Sequence, residues 1–162
     1  MTWNFIVIGA VVLIFIILIR RIPKAKEIQK ENLSEISDKE MTTYGLVAQA
    51  DDAFEQKKFE EAESLYVKAA AQDPNNSKIY SRLGAIYLEQ KNYYDSKEAF
   101  SQAIKIDPDT ASRHVNLGLA YMGLKDYFKA EKSFQDALKI DPKNKKYQKL
   151  LERAGKLKGK EK

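Results

Sequence analysis

An Asp-Pro pair occurs three times in this 162-residue chain, at Asp73-Pro74, Asp107-Pro108 and Asp141-Pro142, and the interval is 34 residues both times. Unrelated loops have no reason to keep a fixed interval, so the chain must build one 34-residue unit at least three times. Laying residues 77–110 over 111–144 gives identity at eleven positions, among them Leu83/Leu117, Gly84/Gly118, Tyr87/Tyr121, Tyr93/Tyr127, Phe100/Phe134 and Ala103/Ala137. The preceding unit, 43–76, is more divergent but keeps Lys57, Phe59, Ala62, Tyr66, Ala69, Asp73 and Pro74 in register.

Within a unit the period is that of a helix. Tyr80, Leu83, Gly84 and Tyr87 fall at i, i+3, i+4 and i+7, one face of a helix; after a break, Ser96, Phe100 and Ala103 mark the face of a second. Plentiful Ala, Leu, Lys, Glu and Gln agree with helix over strand. The break recurs as KKF, KNY and KDY at 57–59, 91–93 and 125–127, and Asn92 and Asp126 are suited to cap the helix that follows. Each unit therefore reads as two antiparallel helices closed by Asp-Pro, since Pro stops one helix and fits the turn into the next. After the third unit, Tyr147, Leu150, Leu151, Ala154 and Leu157 form an apolar stripe among charges. A stack of repeats leaves its last apolar face open, so residues 144–158 are expected to be a capping helix.

The Leu-Gly-x-x-Tyr, Ala, Phe, Ala, Pro signature at this period resembles the tetratricopeptide repeat over residues 43–142. The resemblance implies an all-α solenoid of three helical hairpins at about 43–76, 77–110 and 111–144, the repeat domain running over 37–158. Ser37 and Glu40 have the spacing of a capping box at its start. The first unit lacks the Leu-Gly-Tyr set, reading Gln49, Ala50 and Ala53, as a terminal repeat would. Gly84 and Gly118 cost helix stability unless the missing Cβ admits a closely packed neighbour.

Phe5 to Ile19 is an unbroken run of fifteen apolar or Gly residues, and no charged side chain precedes Arg20. Nineteen helical residues span about 28 Å, close to the hydrocarbon thickness of a bilayer. A cleaved secretory signal would show a basic start and a small-residue cleavage site, and the flanks have neither. The expectation is a single transmembrane anchor at 1–22, with Trp3 at the interface and a linker at 23–36. Arg20, Arg21, Lys24 and Lys26 then place the repeats in the cytosol and the N-terminus outside, in a bacterial-type cytoplasmic membrane. The net charge of +5 hides a partition: residues 20–30 carry five basic side chains against one acid, residues 143–162 nine against two, and the middle is acidic.

No chemistry is legible. With no cysteine there is neither a disulfide nor a thiolate metal site. The one histidine, His114, lies on the inward stripe of a helix, as a core-filling side chain would. The glycines form no phosphate loop, and Asp51-Asp52 and Glu60-Glu61 diverge around a helix rather than converge on a substrate. No enzyme activity, cofactor or metal is expected. The resemblance implies instead a groove for a protein or peptide partner, lined by the first helix of each repeat: Tyr44, Val47, Ala48 and Asp51; Lys78, Ser81, Arg82 and Ala85; Ser112, Val115, Asn116 and Leu119. A subgroup of the family clamps acidic chaperone tails with Lys, Asn and Arg. The matching places read Val47, Asp51, Arg82, Ser112 and Asn116, none with the required residue, so such a receptor is disfavoured. Lys78 and Arg82, four apart, still have the spacing to hold a carboxylate between them.

The reading is a membrane-anchored scaffold that binds partners without catalysis. Two alternatives stand beside it: an extracytoplasmic repeat protein assisting envelope assembly or secretion, and a protein that touches anionic lipid or nucleic acid through its basic C-terminal tail (159–162 and the lysines before it). That tail has no aromatic interleaving and no base-reading motif, so a solvated terminus is the plainer account of it.

Overall fold

The computed structural model describes residues 42–160. Seven helices follow one another along them: α1 (42–55), α2 (Phe59–Gln72), α3 (Ser77–Glu89), α4 (Tyr93–Ile106), α5 (Ala111–Gly123), α6 (Tyr127–Ile140) and α7 (Lys145–Lys158). All regular structure among the described residues is helical. α3 packs on α4 and α5 on α6 as hairpins, α4 contacts α5 across the repeat boundary, α3 also touches α5, and α7 lies on α6.

The turn inside each hairpin has one solution repeated three times. Lys57, Lys91 and Lys125 take left-handed φ values of 59°, 60° and 61°. At the second turn the N–H of Lys91 bonds the Leu88 carbonyl at 3.0 Å and that of Asn92 bonds Tyr87 at 2.8 Å, which is a Schellman motif. The next helix starts at once: the side chains of Asn92 and Asp126 accept from the N–H groups of Asp95 and Lys129. Between repeats the Asp-Pro loops work by side chain. Asn76 donates to Asp73 at 3.0 Å while capping α3, and Asn144 donates to Asp141 at 2.9 Å while capping α7.

Two apolar clusters make the core. One gathers Ala50, Ala53, Ala62, Tyr66, Ala69, Ile79, Leu83, Ile86 and Ala99; the other holds Val115, Ala130, Phe134, Ala137 and Ala154 with Tyr147, Leu150 and Leu151 of α7 against it. The glycines are packing sites. A Cβ on Gly84 would lie 2.8 Å from the Phe100 ring, and one on Gly118 would lie 2.5 Å from the Phe134 ring. Ser96 is fully buried, and its hydroxyl donates to the Gly84 carbonyl at 2.9 Å, so no polar atom is left without a partner there.

The expected transmembrane helix is not found among the described residues. No helix among the described residues is long and apolar enough to cross a membrane. The helices run 13 or 14 residues, about 20 Å, and each presents one apolar stripe, whereas a span needs about 20 apolar residues. The fold is an all-α stack with no spanning helix among these residues, and the placement as a single-pass membrane protein, N-terminus outside and repeats in the cytosol, goes with it. The anchor at 1–22, the linker at 23–36 and the capping box at Ser37 lie outside the described residues. His114, expected on the inward stripe, does not fill the core. It is half-exposed, and its Nε2 lies 2.8 Å from the Pro108 carbonyl, which can only accept, so Nε2 carries the proton.

Candidate partner-binding face

The twelve residues expected to line a groove come from α1, α3 and α5. They divide by burial. Tyr44, Ala48, Lys78, Arg82 and Ser112 are exposed, Tyr44 to 71%. Asp51, Ser81, Ala85 and Asn116 are half-buried, as are Val47 and Leu119, which pack against the core clusters. Val115 is a core residue at 5% exposure and faces no ligand.

The face is partly occupied by its own ion pairs. Arg82 Nε lies 3.0 Å from Asp51 Oδ1, tying α3 to α1. The same carboxylate accepts from the hydroxyl of Tyr66 on α2. Burial, and then that bond, push the Tyr66 phenol above its ordinary range. Asp51 thus joins three helices of two repeats. Tyr87 repeats the theme one turn away: its hydroxyl donates to Glu63 at 3.0 Å, and burial followed by that bond raises it to about 12. Lys78 enters no ion pair among the described residues, so the two cations expected to act together differ: Arg82 is engaged and Lys78 is open.

Ser81 is engaged as well. Its hydroxyl donates to the Ser77 carbonyl at 2.8 Å and accepts from Arg113 Nε at 2.9 Å. Arg113 is the centre that sequence reasoning missed. It is 6% exposed and reaches back from α5: Nη1 to the Asp107 carbonyl at 2.7 Å and to its carboxylate at 2.6 Å, and Nη2 to Ser77 Oγ at 2.9 Å. The Arg113 guanidinium holds the Asp107 carboxyl below the usual carboxylate range. The signal was present as a break in register, since Arg113 stands where the previous repeat has the buried Ile79. No cluster of His, Cys, Asp or Glu that could hold a metal occurs among the described residues.

With that geometry in place, comparison gives two matches to tetratricopeptide-repeat family models, over residues 53–117 and 111–144, together more than half of the chain. No curated protein sequence matches it. Solved structures do. The TPR domain of Arabidopsis OM64 is 23% identical with a TM-score of 0.68, the match covering 71% of this chain and 95% of that one. The second TPR domain of human RPAP3, solved with the HSP70 peptide SGPTIEEVD, is 22% identical with a TM-score of 0.69, over 72% and 98%. The TPR2B domain of yeast Sti1, in a complex with HSP70, is 16% identical with a TM-score of 0.67, over 72% and 98%.

Proposed function

Because the chain belongs to the tetratricopeptide-repeat family, we propose that it is a non-catalytic scaffold that binds a protein segment along the face made by α1, α3 and α5. The observation that carries the reading is the division of that face. Its inner side is in the core, while Tyr44, Ala48, Lys78 and Ser112 stay exposed. An exposed aromatic such as Tyr44 supplies contact area with few rotatable bonds, and an unpaired cation such as Lys78 supplies charge for a partner. The human and yeast neighbours were solved with HSP70 ligands, and the human domain's peptide ends in Glu-Glu-Val-Asp. This chain lacks the residues of a carboxylate clamp and places Asp51 against Arg82, so its ligand is a different one, with at most one carboxylate directed at Lys78.

Peptide selection on the full chain tests this. Peptides recovered from a displayed library should lose at least tenfold in affinity on a Tyr44→Ala/Lys78→Ala/Ser112→Arg variant whose circular dichroism is unchanged. Peptides that bind the variant as well as the parent would place the site elsewhere.

A further inference from the structure

The outer side of α7 has no counterpart on the other helices. At 100° per residue, Lys145, Lys149, Arg153 and Lys156 fall in an arc of about 80°, roughly opposite the apolar stripe that seals the stack. Lys146 borders the arc. Gly159 keeps right-handed backbone angles (φ −71°, ψ −16°), which carries the row on to Lys160. All six cations are exposed, and the row is about 22 Å long. The neighbouring acids leave most of it open. Glu152 pairs with Lys156 at 2.6 Å, and Glu131 of α6 takes Lys158, which points away from the row. The other five cations enter no ion pair among the described residues. A shallow depression of 370 Å³ lies in the row, lined by Lys149, Glu152, Arg153, Lys156, Leu157 and Lys160.

We propose that this face of α7 binds the phosphate backbone of nucleic acid without reading its sequence. Three alternative occupants fit the same surface less well. An acidic protein would need an apolar or aromatic anchor, because exposed ion pairs contribute little one by one, and Leu157 is the single apolar side chain in the depression. A bilayer surface would want apolar side chains beside the lysines, and Tyr147, Leu150 and Leu151 are committed to the core. A free phosphate would use the depression and leave the row idle. A polyanion with condensed counterions matches a straight, predominantly cationic row in which Glu152 offsets Lys156 alone, since each contact releases an ion whether or not it is buried. Lysine predominates, giving mobile point charges rather than the forked donors that read bases.

The test is fluorescence anisotropy of the full chain with a labelled 20-base-pair duplex between 50 and 200 mM NaCl. Five free cations at about 0.9 each give a logarithmic salt slope near −4.5, a loss of roughly 500-fold across that range. K149Q/R153Q should move the slope to about −2.7 and cost roughly 60-fold at 100 mM salt. K68Q/K105Q removes the same charge far from α7 and should stay within about twofold. Gln matches Lys in helix propensity, so α7 should persist, and circular dichroism checks it. The proposal is overturned if the parent slope is shallower than −2, or if both double variants lose affinity equally. It is also overturned if polyglutamate, or phosphatidylserine-containing vesicles, bind as tightly as the duplex with the same dependence on Lys149 and Arg153.

Discussion

Two glycines on helices offer a paired test of what the stack is built on. A Cβ on Gly118 would meet three Phe134 ring atoms at 2.5, 2.8 and 2.9 Å, whereas one on Gly155 would meet nothing within 4 Å. Phe134 is fully buried, so its ring has nowhere to retreat. Overpacking of this kind costs about 1–3 kcal/mol, and three short contacts on a sealed ring argue for the upper end. Ala gains about 1 kcal/mol over Gly in helix propensity at either place. Gly118→Ala should therefore destabilise by about 2 kcal/mol and Gly155→Ala should stabilise by about 1 kcal/mol. At roughly 4 °C per kcal/mol, the two melting temperatures should end some 12 °C apart. Urea titration followed by circular dichroism supplies the free energies, and the thermal scan supplies the check. A Gly118→Ala protein as stable as the parent would refute the claim that ring-on-backbone contact is why that glycine is there.

Other perturbations follow from the polar network. Arg113→Met removes four bonds to the repeat boundary and should cost about 2–3 kcal/mol in urea at neutral pH. The depressed Asp107 carboxyl contributes stability that is present above its ordinary value of about 3.9 and lost as pH falls through the folded value, so Arg113→Met should flatten that acid limb in a pH series of melts. Tyr87 titrates the other way: its raised folded value means stability is intact below about pH 10 and declines as pH rises toward 12. Tyr87→Phe should lose about 1 kcal/mol at pH 7 and reduce that alkaline decline. Lys91→Gly relieves a left-handed backbone that costs a side-chain-bearing residue about 1–2 kcal/mol, against about 0.5–1 of extra chain entropy, and should raise stability by about 0.5–1 kcal/mol in the same assay.

How much of this the sequence discloses depends on which contacts repeat. Tyr66, Phe100 and Phe134 hold one buried position in all three units, and Leu83/Leu117 and Gly84/Gly118 recur in two, so the period exposes them. The hairpin turn repeats too, yet its left-handed residue is Lys each time, and without a glycine to mark it the conformation passes unread. Polar links between units behave differently. The Asp51–Arg82 pair spans 31 residues and the Arg113–Ser77 bond 36, neither of them the 34 of the repeat, and each occurs at one boundary only. The second Asp-Pro loop shows why. Where the other two loops have Asn, it has Thr110, which donates to Asp107 at 3.4 Å but gives no cap bond, and Asp107 also pairs with Arg113. The candidate face suffers most, because it is the side of α1, α3 and α5 on which successive repeats differ. Ser81 looks like a free hydroxyl in sequence and is consumed by Arg113; Val115 looks like lining and is core; Lys78 alone of the two cations stays unpaired. Residues that stack the helices recur from unit to unit, whereas those of the proposed face differ, so the proposed face is the part a repeat pattern cannot average.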